Sequence, residues 1–396
     1  MDTTRRTILR GMVAAPVLAT AGGLLVPESA LAAQAEPPLT LAYDPDETSA
    51  HVRGIRWLTQ NFGRFDAARI SLAGAWGVTK VDPARVPSWP AASPKPAFAF
   101  GWSPNDPDAS RPGSDWYPQG VTTYYDAMGR IRKRMMVSWH DTGARVAIID
   151  RSGRDPRYHY AELVRAVKTV SGYAAEPISG LHAGGLAWYR NRLYVTDSQA
   201  GALLVFNTDE MFKHPDANKV KVTPYAMPLS RTYQADEASR EKLTFSQVSV
   251  DRTSLQGPFR RTSLIVSSFA RDDKPQHVGR WSFAYNSGSL LLSTGTTARS
   301  SAVYQINRGR GLPSGRGIQG AVAIRNSLYI SVSNGSGEGL FSTAALNRDG
   351  VGTAELKWRV PQGPEDLSYE DRPGRGGWMW GLGEYVGNRH VYAMPV

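Results

Sequence analysis

The chain contains no cysteine. A disulfide framework, thiolate metal sites and a cysteine nucleophile are therefore excluded. Charge is also sparse, at 20% of residues, and several catalytic signatures are missing. There is no HExxH motif and no clustered histidine pair, which argues against zinc. No G-x-S-x-G elbow leads from a strand into a helix, and GSGEG at Gly335–Gly339 reads as a loop between strands. The Gly- and Arg-rich text from Arg308 to Gly317 lacks the Gly-Lys-Ser/Thr ending and the flanking elements of a phosphate loop. No recognition helix, RNA-binding signature or zinc finger is visible, so nucleic acid is not an expected partner despite a formal charge of +11. The apolar run from Met12 to Val26 is too short, and too rich in Ala and Gly, to make a membrane span.

What is present is turn-rich and aromatic-rich. Gly (39), Pro (26) and an aromatic share of 10% accompany 41% apolar residues. That composition favours an all-β protein with a large core. The first residues, MDTTRRTILRG, give a basic start, followed by the apolar run and small-residue sites at Ala30–Ala32 and Ala33–Ala35. This is the layout of a signal peptide, and Thr4-Arg5-Arg6-Thr7-Ile8-Leu9-Arg10 resembles a twin-arginine export signal. Residues 1–35 are expected to be removed and 36–396 to form one secreted domain. The leader holds Arg5, Arg6 and Arg10 against Asp2 and Glu28, so +10 of the +11 belongs to the rest. A basic extracellular protein meets anionic walls and polymers readily.

One phrase is written twice. HAGGLAWYRNRLYVTD starts at His182 and GIQGAVAIRNSLYISV at Gly317, placing Gly185 over Gly320 and Arg190-Asn191 over Arg325-Asn326. Each copy reads as a short strand, a tight turn and a second strand. With ALLVFNT and KVTPYAMPL, the first copy becomes a four-stranded antiparallel meander. Such a sheet cannot bury its own faces and needs like neighbours. They occur from Gln119 to Val167, from Phe245 to Tyr285 (with SLLLSTG as an outer-strand candidate), from Ile318 to Pro361, and from Pro364 to the end. The last unit has three strands. ARISLAGAW (Ala68–Trp76) or PAFAFGW (Pro96–Trp102) is expected to supply its fourth and close a ring. The expected fold is a five-bladed β-propeller. A sixth blade in residues 41–115 is the variant, and a pair of β-sandwiches, which leaves the repeat unexplained, is the rival.

The repeated hairpin, with Gly185-Leu186-Ala187-Trp188-Tyr189 and Leu193 to Asp197, resembles propellers of the NHL, SMP-30/gluconolactonase and strictosidine-synthase-like group. Taken whole, with QGA at Gln319, HAGG at His182 and GPEDLSY at Gly363, the chain resembles twin-arginine-secreted propellers of high-GC Gram-positive bacteria. That second resemblance implies a fold and no activity. The SMP-30 style implies a divalent cation near the axis. Glu365, Gln119, Gln319 and Asn334 are the residues that would approximate an oxygen-rich calcium site.

In an antiparallel blade, the start of the innermost strand and the end of the next share one edge. The starts carry Gln119, His182, Gln247, Gln319 and Glu365-Asp366; the ends carry His140-Asp141, Asp197-Ser198, Asn334 and Glu384. Trp116 and Tyr117 precede Gln119, while Arg308, Arg310 and Arg316 precede Gln319 and Arg271 follows a second strand. One channel mouth thus gathers histidines, carboxylates and amides, with an aromatic and cationic rim. Narrow channels also need polar residues simply to bind water, and turn-end Asp and Asn tie down loops. As a set, the residues point to a ligand pocket.

Three function classes follow. In an acid–base enzyme of hydrolase, lyase or cyclase type, His182, Glu365 and Asp366 would be catalytic. Paired carboxylates from Glu365, Asp366, Asp197 and Glu384 could run glycoside chemistry. In a non-catalytic glycan or cell-wall binder, Trp116, Tyr117 and the arginines would grip an anionic ligand. A protein-interaction scaffold is the third. The leaning is to an enzyme on a small molecule or glycan, acting as a monomer and without a required cofactor.

Overall fold

The computed structural model describes residues 36–396, apart from 73–74, 111–113, 154–155, 217–222, 257–258, 261, 271, 286, 348–349, 373 and 375. The twin-arginine leader and Arg271 lie outside the described residues. Among these, the strands form five blades. Blade one is Tyr117–Thr123, Arg134–His140, Ala144–Asp150 and Arg157–Thr169. Blade two is Leu186–Tyr189, Arg192–Asp197, Ala202–Asn207 and Tyr225–Ala235. Blade three is Gln247–Asp251, Ser263–Ser267, Gln276–Ser282 and Ala302–Asn307. Blade four is Ile318–Ile324, Ser327–Val332, Gly339–Ala345 and Glu355–Val360. Blade five is Pro364–Glu370, Trp378–Gly383, Val391–Pro395 and, from the other end of the chain, Phe98–Gly101.

The ring therefore closes as expected. Val391 pairs with Phe100 and Ala393 with Phe98, so the last strand lies between Trp378–Gly383 and the N-terminal strand. PAFAFGW supplies the closure. ARISLAGAW does not: its end forms only the short strand Trp76–Gly77, on the outer edge of blade one. The outer strand of blade three also differs from expectation. Ala302–Asn307 fills that place, whereas SLLLSTG folds into a loop in which Leu290 makes a single bridge to Phe283. Its Ser- and Thr-rich end satisfies itself in a turn at Thr294–Thr297 instead of offering a ladder. Among the described residues of 41–115, no sixth blade arises. That stretch opens with a helix, Pro45–Phe62, capped by Asp44 accepting from the Asp46 and Glu47 amides. Leu58 on the helix packs on Phe212, Val164 and Ala226 outside blades one and two.

The inner strands read as continuous apolar runs (MMVSW, VAIID, ALLVF) because both faces are buried. Alternate residues serve opposite neighbours. Trp188, Leu193 and Val195 pack with Met136, Val146 and Ile148 of blade one. Ala187, Tyr194 and Leu203 pack with Val248, Leu264 and Trp281 of blade three. Three further clusters fill the remaining blade interfaces, including Phe100, Trp380 and Val391 against Val137 and Ile149 where the ring closes. Each fully buried Leu, Ile, Val or Phe contributes about 1.5–3 kcal/mol.

At the axis, strand register aligns Gly120, Gly185, Gln247, Gly320 and Asp366. The glycines answer to crowding. A Cβ at Gly185 would stand 2.3 Å from the Val248 nitrogen, and one at Gly320 would stand 2.7 Å from the Glu365 carbonyl oxygen. Hydroxyls on the second strands staple each blade to the next. Ser138 donates to the Ala183 carbonyl (2.8 Å), Thr196 to that of Ser246 (3.2 Å), and Ser331 to that of Glu365. Ser249 and Gln247 donate to the Ala321 carbonyl across the remaining gap. Asp366 completes the circle: its carboxylate accepts from the amides of Val121 (3.0 Å), Leu186 (3.1 Å) and Leu367 (2.8 Å) and from Gln247 Nε2 (2.9 Å).

Candidate functional site: the acidic mouth

One residue before that central layer stand Gln119, Gly184, Ser246, Gln319 and Glu365, all lining a cavity of about 380 Å³. His182, Ser198, Thr244, Phe269, Ser333, Glu384 and Tyr385 complete its wall. Each innermost strand enters through an irregularity. Register shifts occur at Pro118–Val121, Ile318–Gly320 and Pro364–Leu367. In blades two and three the entering residue is left-handed instead, with Ala183 at φ 52° and Phe245 at φ 50°. A non-glycine residue there costs about 1–2 kcal/mol. The kinks place His182 and Thr244 on the cavity wall. Ala183 is held by Ser138, and Phe245 packs 6.1 Å from Trp281.

Glu365 and Glu384 make the chemical centre. Each stands close enough to shift the other's proton affinity. Gln319 Nε2 donates to Glu365 Oε1 at 3.0 Å, and Gln119 Nε2 to Glu384 Oε1 at 3.5 Å. Neighbouring like charges disfavour joint ionisation. Glu365, only 4% exposed, is pushed well up by burial and then by the Glu384 charge. Glu384 is also raised by burial, but donors from Gln119, Tyr385 and Glu365 pull it back. Of the two, Glu365 is held more strongly toward its neutral form. Arg389 supports this arrangement from outside the cavity, donating to the Glu384 carbonyl at 3.1 Å.

His182 lies at the rim with its ring 4.1 Å from that of His140. Burial holds His182 below its usual range. His140 is pushed down to about 4 by burial and by the neighbouring His182. Both imidazoles are neutral at pH 7, which suits a proton acceptor. Tyr117 backs His140 at 5.9 Å, with the Arg389 guanidinium 5.3 Å from its own ring.

Other expected site residues stand elsewhere. Asp366 is fully buried with its oxygens committed to the ring, so it is a structural plug with no route to a ligand. Gln247 shares that layer, completed by a bond from Ser267. Trp116 does not line the mouth; the Arg145 guanidinium covers it at 3.9 Å. Asp197 caps a turn, accepting from the Gln199 and Ala200 amides at 3.1 Å, and its neighbour Ser198 reaches the cavity instead. Asn334 and Arg316 sit in adjoining loops outside the lining. Arg308 ties loops together through the Lys274, Pro313, Arg316 and Ala270 carbonyls, and Arg310 is exposed.

The calcium set is not assembled. Asn334 stands off and burial biases Glu365 toward its neutral form, whereas calcium takes six to eight oxygens. Among the described residues, no group of three or more His, Cys, Asp or Glu side chains stands close enough to hold a metal ion. The described lining contains no Lys or Arg, so it favours a neutral or cationic ligand over the anion expected from the arginine-rich loop. Ser246, Thr244, Phe269, Ser333 and Tyr385 are the lining residues that sequence reasoning missed. Ser246 shares the register of Gln119 and Gln319 and could have been found by aligning blades; Phe269 and Tyr385 arrive on loops with no periodic signal.

No family model matches the chain, and no curated protein matches it at a level that would indicate kinship. Among solved structures, it is similar to the GH43_1 enzyme from Xanthomonas citri complexed with xylose. Identity is 11%, TM-score 0.35, with 70% of this chain and 86% of that chain covered. It is also similar to a protein described as a 6-phosphogluconolactonase from Bacteroides uniformis, at 12% identity and TM-score 0.34, covering 78% and 89%. Such distant likenesses carry no argument about chemistry, which rests on the residues above. Among the described residues, no helix is long and apolar enough to cross a membrane.

Proposed function

We propose that the protein is a secreted acid–base enzyme acting on a small, uncharged, polar molecule, such as a polyol or saccharide unit, at the acidic mouth. Export rests on the twin-arginine leader. The observation that carries the chemistry is one cavity lined by Glu365, Glu384 and His182, with Glu365 pushed up and His182 down by burial. A carboxyl held toward its neutral form beside a neutral imidazole supports proton transfer of lyase or hydrolase type. His182 takes a proton from the substrate or from water, and Glu365 gives its proton to the leaving oxygen, so the C–O bond breaks with no net change in protein charge. Gln119, Gln319 and Ser246 orient the ligand.

The second reading, a binder without turnover, is favoured by one observation: Gln119 and Gln319 already bond to both carboxyls. A screen of neutral polyols and saccharides, read by turnover and by calorimetry, separates the two. His182→Ala is expected to abolish turnover while shifting stability by about 1 kcal/mol or less, as for a rim residue. A His182→Ala variant that lost several kcal/mol yet kept its function would make the histidine structural and sink the assignment.

A further inference from the structure

The far ends of the innermost strands open on the other face, where the Arg190-Asn191 turn borders a second cavity of about 530 Å³. Its ionisable lining is Arg69, Arg130, Arg132 and Arg190 against Asp66 and Asp209. Both carboxylates are already matched. Asp66 meets Arg69 at 3.5 Å, and Asp209 meets Arg64 at 3.4 Å and Asn191 at 3.3 Å. Among the described residues, neither Arg130 nor Arg132 meets a carboxylate; Arg132 lies 5.1 Å over the Tyr124 ring. Trp188, 1% exposed, contributes to the wall. Finally, Arg190 is held left-handed (φ 55°), its amide donating to the Ala127 carbonyl at 2.9 Å. Asn or Gly would occupy that turn position at less conformational cost.

A cavity in which arginines outnumber carboxylates suits a negatively charged ligand. We propose that this cavity is a binding site for a small organic anion, a carboxylate or phosphate carried on a hexose-sized body, separate from the acidic mouth. Arg130 and Arg132 supply the charge, and Arg190 and Asn191 orient the group. The volume exceeds a bare phosphate and falls in the range of small-ligand pockets. The second copy of the phrase sets Arg325 and Asn326 beside a 730 Å³ hollow. There Arg372 is already engaged, by Glu370 at 3.4 Å and by the Trp378 ring at 3.6 Å, so the first copy is the stronger site.

Calorimetry on the full chain tests this with glucuronate for the carboxylate, glucose 6-phosphate for the phosphate, and glucose as the neutral control. One acid should bind saturably and glucose should not, with affinity falling as salt rises. The acid that binds identifies the group. The double variant Arg130→Ala/Arg132→Ala, at exposed positions, should weaken binding about tenfold or more. Arg190→Asn, which suits the left-handed turn but loses the guanidinium, should weaken it by about threefold. Failure of both acids to bind, or binding unchanged in the double variant, overturns the proposal. Because neither variant touches Glu365, Glu384 or His182, the outcome is independent of turnover at the mouth.

Discussion

At the mouth formed by the starts of the innermost strands, the ionisable groups are Glu365, Glu384 and His182, with no cation in the lining. At the cavity bordered by the first-copy turn on the opposite face, four arginines face two carboxylates that are already paired. The same repeated strand delivers both: His182 precedes Leu186–Tyr189, and Arg190 follows it. Four residues of innermost strand thus separate the acidic mouth from the arginine-lined cavity. The net charge of +11 says nothing about this division. It is made by which residues the antiparallel register carries to each edge.

Between the two faces lies the Asp366 layer, and removing it is the change that should break the comparison most severely. Asp366→Ala would leave the Val121, Leu186 and Leu367 amides and Gln247 Nε2 without their shared acceptor. A loss of about 3 kcal/mol or more is expected, with both sites failing together in thermal melts and binding assays. If only the mouth were affected, Asp366 would be a ligand group after all.

Arg252→Ala should act on one face alone. Its guanidinium caps the helix Tyr124–Met128, donating to the Asp126 (2.9 and 2.6 Å) and Ala127 (2.8 Å) carbonyls. Ala127 in turn holds the Arg190 turn. About 1–2 kcal/mol should be lost in chemical denaturation, and anion binding should weaken while turnover at the mouth is unchanged. Coupling of this variant to the mouth would mean that the two faces are not independent.

The smallest expected effect is on the pH dependence of stability. The folded pKa of Glu365 lies above its ordinary value of 4.5. A carboxyl raised in this way stabilises the fold fully below its unfolded pKa, and that contribution is lost as pH rises through the folded value. Glu365→Gln cannot titrate. Denaturation midpoints should therefore fall less between pH 4 and neutrality (about one unfolded carboxyl's worth) than in the parent, while turnover drops by about 10²-fold or more. An unchanged pH slope would mean that Glu365 is ionised in the fold.

Much of the fold was readable because it is written in local patterns. The twice-written hairpin marked the blade, Gly185 and Gly320 marked its crowded inner edge, and PAFAFGW was among the two candidates for closure. The outer strand of blade three was misread because SLLLSTG and AVYQIN are both short and apolar, and only pairing with Gln276–Ser282 separates them. At the mouth, Gln119, His182, Gln319, Glu365 and Glu384 could be gathered by register. Trp116 could not be judged, since the Arg145 that covers it comes from the third strand of the same blade. Nor could Asp197 be distinguished from Ser198, where one residue separates a turn cap from a cavity wall.

The sequence by itself determined that strands would be short, that five like sheets would have to bury one another, and that polar residues would collect at strand starts. These follow from composition and from the two-residue period of a strand. Only the tertiary structure decided between Glu365 and Asp366. They are neighbours in the chain, yet the bulge between Pro364 and Leu367 sends one side chain into the cavity and the other into the centre of the ring. A carboxyl in the first place can exchange a proton with a ligand. In the second, surrounded by amides from three other blades and its own, it can only hold the blades together.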